Sequence, residues 1–152
     1  MAHSKTSINI HYIFSPKNRI GFGSPEKRKT LQHYINGICH NLDCVVLASY
    51  VMRDHVHLLV RIPAKMPVAE LAQKVKGNCS RCLNQLPDQP GRFVWQEGYG
   101  AFSCSFSNLG TVISYIQNQE EHHRVKSFDE EFGELLKKHE IPADSGKNDG
   151  ED

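Results

Sequence analysis

The chain has 152 residues, 39% of them hydrophobic, with 18 Lys and Arg against 17 Asp and Glu. That suffices for one hydrophobic core of ordinary size, and no apolar run approaches the roughly 18 residues of a membrane span. The net charge of +1 conceals an imbalance, since residues 1–101 carry 13 Lys/Arg against 6 Asp/Glu and residues 102–152 carry 5 against 11.

A basic body with an acidic C-terminal region suits a polyanionic partner. Five cysteines at irregular spacing argue against a disulfide framework. The opening "MAHSKTSINI" lacks the apolar segment of a secretory signal, so a cytoplasmic protein is expected.

In chain order, "INIHYIF" (8–14) alternates and is β-rich, and reads as a strand that breaks at "SPKNR". "SPEKRKTLQHYINGICHNL" follows, with Ser24 as a cap, Pro25 at the first helical position and Leu31, Ile35, Ile38 and Leu42 at helical spacing. "CVVLASYVM" and "HVHLLVRI" are two further strands, and the short connection at Asp54 predicts a hairpin. Residues 68–86 place Val68, Leu71, Val75, Cys79, Cys82 and Leu86 on one stripe, a second long helix. "FVWQEGYGAFSCSF" reads as a strand interrupted near Gly98 and Gly100.

"SNLGTVISYIQNQEEHHRVKS" predicts a third helix, capped by Ser107 or Asn108, with Leu109, Val112, Ile113 and Ile116 on one face. "SFDEEFGELLKKH" predicts a short amphipathic fourth. Residues 1–141 are expected to form a single domain, and 142–152 an acidic, disordered tail. The order β-α-β-β-α-β-α predicts an α+β fold of the ferredoxin-like or RRM-like kind, an antiparallel sheet with helices packed mainly on one face.

"VMRDHVHLLV" (51–60) sets two histidines one residue apart in a run that is otherwise almost wholly apolar. On a strand His55 and His57 share a face with Leu59 and Arg61, while Val56, Leu58, Val60 and Ile62 face the other way. The apolar side needs helices packed on it; the histidine side does not. The two imidazoles are either unrelated side chains on a partly exposed face or, about 7 Å apart along the strand, two ligands awaiting a third. On the third helix Tyr115 and Gln119 are four apart, roughly 40° around the axis, on the flank of the apolar stripe, and His123 continues the row.

"HVH" on a strand, followed by a helix bearing "YIQNQ", resembles the single-tyrosine HUH transposases of small, IS200-like insertion sequences, including their repeat-associated domesticated relatives. "HYIFSPKNR", "VMRDHVHLLV", "WQEGYGAFSCS" and "YIQNQEEHHRVKSFDEEF" carry the likeness in order, over residues 8–141. One departure is Arg53, where members of that family often have proline. The resemblance implies that Tyr115 is a nucleophile forming a 5′-phosphotyrosine and that His55, His57 and Gln119 hold Mg²⁺ or Mn²⁺. It further implies single-stranded DNA with hairpin ends as substrate and a homodimer, in which the tyrosine helix can complete the partner subunit's site. Lys17, Arg19, Arg53, Arg61, Lys74, Lys76 and Arg81 are the candidate phosphate contacts.

Two other functions compete with a strand transferase: a hairpin-binding descendant that has lost transposition, and an RNA-binding sheet of the RRM type. The second lacks the aromatic phrases that such a sheet uses for stacking. His123 is a reserve metal ligand and Tyr99 a reserve nucleophile. His122 and His123 are expected to face solvent. Trp95 and Tyr99 are expected to pack in the sheet, Cys79 and Cys82 in the core, and His11 carries no assigned role.

Overall fold

The computed structural model describes residues 4–17 and 21–142. Arg19 and the expected acidic tail from residue 143 onward lie outside the described residues. The chain comprises two compact units, Met1–Gln119 and Glu120–Asp152.

The first unit runs β1 (Ile8–Phe14), α1 (Pro25–Asn41), β2 (Val45–Val51), β3 (Val56–Ile62), α2 (Val68–Asn84), β4 (Gly100–Ser103) and α3 (Leu109–Gln117). The α1 start follows from its cap: the Ser24 side chain accepts from the Lys27 amide, and Pro25 occupies a position where no N–H is needed. Asp43 turns the chain into β2 at a φ of 61°, a left-handed conformation that a short polar side chain tolerates.

The four strands form one antiparallel sheet in the order β2-β3-β1-β4. Both central strands are apolar on their α1/α2 side. Ile10, Tyr12 and Phe14 of β1 and Val56, Leu58, Val60 and Ile62 of β3 meet Leu31, Ile35 and Cys39 of α1 and Leu71, Val75, Cys79 and Leu83 of α2. The buried row of α2 therefore runs through Leu83 and leaves Cys82 half-buried, a rotation from the expected stripe. Burial pushes the Cys39 thiol up to about 12 and Cys79 higher still, as expected of core thiols.

The opposite face of the sheet is covered as well, which the alternation of β3 did not require. Ala48 and Leu59 pack with Leu109 and Ile116 of α3, flanked by Leu47, Tyr50, Cys104, Val112, Ile113 and Tyr115. Two long helices thus lie on one face and the short α3 on the other. α3 emerges from a 3₁₀ turn at Phe106–Asn108.

The expected continuous third helix is broken. α3 ends at Gln117, Asn118 has φ −106° and ψ 29°, and a separate turn, α4 (Gln119–His122), follows. The cause is local: the Asn118 side-chain amide donates to the Ser114 carbonyl at 2.8 Å, beside the Asn118 backbone N–H, which donates to the same oxygen at 3.1 Å. An asparagine that competes for a helix carbonyl in this way favours the end of a helix over its interior.

In the second unit α5 (Phe128–Lys138) has a complete capping box between Ser127 and Glu130. His123 Nε2 lies 3.0 Å from Glu131 Oε1, so the reserve ligand has a carboxylate partner in its own unit. His122 and His123 are half-buried rather than solvent-facing.

Candidate active site

The hairpin between β2 and β3 positions the histidines. Met52 N–H donates to the His55 carbonyl at 2.8 Å, so His55 stands immediately before β3 rather than within it, and His57 is the second residue of the strand. Both side chains are fully buried, as is Gln119.

Asp54 Oδ1 lies 2.9 Å from His55 Nδ1. A carboxylate oxygen can only accept there, so Nδ1 carries a proton, and in the neutral imidazole Nε2 then keeps its lone pair. His55 Nε2 in turn lies 3.3 Å from Gln119 Oε1. The Gln119 amide is oriented by its other end, where Nε2 donates to the Tyr115 carbonyl at 3.3 Å. With His55 neutral, two acceptors face each other in a buried site, an arrangement that a cation between them would relieve.

His57 completes the group. Its ring centroid is 5.0 Å from that of His55 at 77°, and 5.9 Å from that of Tyr115 at 84°. His57 Nδ1 lies 2.8 Å from Nε2 of His11, a β1 residue on the same sheet face. Two imidazoles and an amide oxygen form a donor set that could hold a divalent ion. Tyr115 is half-buried beside it. His55, His57, Tyr115 and Gln119 thus meet within one chain, and the break after α3 does not separate Gln119 from Tyr115.

Residues 4–119, which span nearly all of the first unit, match the family described as "Transposase IS200 like". The chain belongs to the IS200-like transposases. The transposase for insertion sequence element IS200 of Salmonella typhimurium is 27% identical to it over 130 residues, covering 82% of this chain and 85% of that protein. The protein of the same name from Salmonella typhi matches to the same extent. The fold is shared with a candidate transposase of Deinococcus radiodurans R1, at a TM-score of 0.60 and 23% identity over 78% of this chain and 95% of that one. It is also shared with a REP-associated tyrosine transposase bound to a REP hairpin, at a TM-score of 0.60 and 14% identity, covering 81% of this chain and 74% of that one.

The basic residues of this transposase are spread over both faces of the sheet. Arg61 lies on the histidine face, where its Nε donates to Asn9 Oδ1 at 3.0 Å, and Arg53 is exposed beside Asp54. Lys17 is exposed just after β1. Lys74, Lys76 and Arg81 are on α2, across the sheet from the histidines. Lys74 pairs with Glu70 at 3.5 Å. Lys76, one of the expected phosphate contacts, donates its amine to the carbonyls of Gln96 and Gly98 at 3.0 and 2.8 Å, beside the approach to β4. Burial lowers the Lys76 pKa.

Tyr99, the reserve nucleophile, has its ring 6.0 Å from that of Tyr12, which faces the α1/α2 core, so it stands apart from the histidines. Trp95 packs among Phe14, Phe22 and Phe93 and pairs with Pro16 across a β-bridge. Two site residues escaped the sequence reading, Asp54 and His11. In the sequence Asp54 reads only as part of the short connection between two strands. His11 shares its parity with Asn9 on β1, a polar pair opposite the apolar Ile10 and Tyr12, and that alternation was its only signal.

Proposed function

We propose that this transposase cleaves and rejoins single-stranded DNA, with Tyr115 as the nucleophile and a divalent ion held by His55, His57 and Gln119. The observation that carries the reading is the meeting of these four side chains, with His55, His57 and Gln119 fully buried, Tyr115 half-buried beside them, and His55 Nε2 3.3 Å from Gln119 Oε1.

When bound, a divalent cation supplies charge neutralisation at the scissile phosphate. The chain's own residues do the rest. Tyr115 Oη attacks phosphorus, an O–P bond to tyrosine forms as the P–O3′ bond breaks, the phenol proton departs and a proton is taken up by the 3′ oxygen. The 5′-phosphotyrosine stores the energy of the broken bond, so a second 3′-OH can reverse the step without ATP. Burial of His55, His57 and Gln119 excludes water from the donor set.

Hairpin DNA is the favoured substrate, supported by the hairpin bound to the REP-associated relative. Arg53 and Arg61 flank the histidines and are suited to the phosphate backbone. A cytoplasmic homodimer is the working form we infer. No helix among the described residues is long and apolar enough to cross a membrane.

The test incubates wild type and Tyr115→Phe with end-labelled single-stranded hairpin DNA and Mn²⁺. A denaturation-resistant protein–DNA adduct is expected with wild type alone. Binding by both proteins with cleavage by neither replaces strand transfer with a hairpin-binding function.

A further inference from the structure

His11 is buried, on the central strand β1, and is not among the four residues assigned above. We propose that His11 is a positioning residue that holds His57 in the Nδ1–H tautomer, so that His57 turns its Nε2 lone pair to the ion. The proposal rests on reading the site as a metal centre.

The argument begins with the 2.8 Å separation between His11 Nε2 and His57 Nδ1. One proton lies between these two nitrogens, and there are two ways to supply it. If His11 donates, neutral His57 carries its proton on Nε2 and spends its lone pair on His11. It is then no ligand. If His57 donates, its Nε2 is left with a lone pair, and only this assignment makes His57 match His55, whose Nδ1 proton is committed to Asp54 at 2.9 Å. Asp54 and His11 would then play the same part for the two ligands: each accepts the Nδ1 proton and so fixes which nitrogen is offered.

The sheet gives His11 the rigidity that this part requires. β1 is paired on both sides, with His11 opposite Leu59 of β3 and Phe102 of β4. The planes of the His11 and His57 rings are inclined by 26° with centroids 5.0 Å apart, and the Phe102 ring lies 6.2 Å from that of His11. A histidine that merely filled space would be replaceable by phenylalanine without consequence for His57. A histidine that accepts a proton would not.

The experiment reads the ring ¹⁵N shifts of His57 in the metal-free protein and, separately, Mn²⁺ affinity by electron paramagnetic resonance titration. The proteins are wild type, His11→Phe, which keeps a ring and removes the acceptor, and His11→Gln, which keeps an acceptor oxygen. Wild-type His57 is expected as Nδ1–H. His11→Phe is expected to shift it toward Nε2–H and to weaken Mn²⁺ binding about 10–100-fold, with His11→Gln retaining Nδ1–H and most of the affinity. A wild-type His57 protonated on Nε2 overturns the proposal without recourse to any variant. An unchanged tautomer and Mn²⁺ affinity in His11→Phe overturns it too. Failure of wild type to bind Mn²⁺ removes the metal reading and the ligand half of this proposal, while the ring shifts still judge the tautomer half.

Discussion

His55 and Gln119 stand 64 residues apart in the chain, yet His55 Nε2 and Gln119 Oε1 meet at 3.3 Å with both side chains fully buried. Each of these atoms has its orientation set from behind, His55 by Asp54 and Gln119 by the Tyr115 carbonyl. If the pair is half of a metal site, Gln119→Leu removes an oxygen ligand at nearly constant volume. Mn²⁺ affinity is then expected to fall at least about tenfold, while Gln119→Glu, which adds a charge to the ligand set, is expected to raise it. Isothermal titration of the three proteins decides, and equal affinities would remove Gln119 from the site.

Ile116 anchors the helix that brings Tyr115 to the sheet. Its side chain is fully buried against Ala48, Leu59 and Leu109. Ile116→Ala is expected to cost about 2–5 kcal/mol in urea unfolding. Phe106 is 72% exposed at the turn before the same helix, so Phe106→Ser is expected to change stability by no more than about 0.5 kcal/mol. A small loss for Ile116→Ala would mean that α3 contributes little to holding its face of the sheet.

Period and capping made the first unit legible where local chemistry decides structure. The alternation of β1 and β3, the Ser24–Pro25 start of α1 and the spacing of Leu71, Val75 and Cys79 each specify an element alone. Helix periodicity failed at Asn118 because one side-chain bond to Ser114 outweighed a stripe that otherwise continues. The histidine spacing pointed to a shared face, but not to what covers it, since α3 reaches that face from residues far along the chain. His11 was invisible for the same reason. Its significance lies in a diagonal across two strands, and β1 alone does not specify its neighbour. Lys76 looked like any helix-surface lysine until the loop at Gln96–Gly98 was folded over it.

Glu130 offers a pH test confined to the second unit. The Ser127 backbone N–H, then the Ser127 hydroxyl, hold its pKa below the ordinary glutamate value. A carboxylate depressed on folding contributes stability that is present above its unfolded pKa and is lost as pH falls through the folded value. The cap of α5 is therefore expected to weaken only in acid, as pH falls below the ordinary glutamate value. Following the Ser127 amide by NMR should give a titration midpoint lower than that of an unrestrained glutamate, and Ser127→Ala should raise the Glu130 midpoint. A midpoint at the ordinary value in wild type would mean that the capping box is not populated in solution.

Lys76 and the two arginines separate stability from DNA binding. Lys76 donates to two backbone carbonyls, so Lys76→Met is expected to lower stability by about 1–2 kcal/mol. It should leave the salt dependence of hairpin binding unchanged, because a lysine committed to the backbone releases no counterion. Arg53 is exposed beside Asp54 and Arg61 shares the histidine face. Arg53→Ala and Arg61→Ala are each expected to weaken binding of single-stranded hairpin DNA. Each should also flatten the slope of log K against log salt by about 0.7, the value for one phosphate contact on a single strand. Fluorescence anisotropy at several salt concentrations measures both quantities. A flattened slope in Lys76→Met would place the DNA on the α2 side of the sheet, away from Tyr115. Unchanged slopes in both arginine variants would remove the histidine face as the path of the strand.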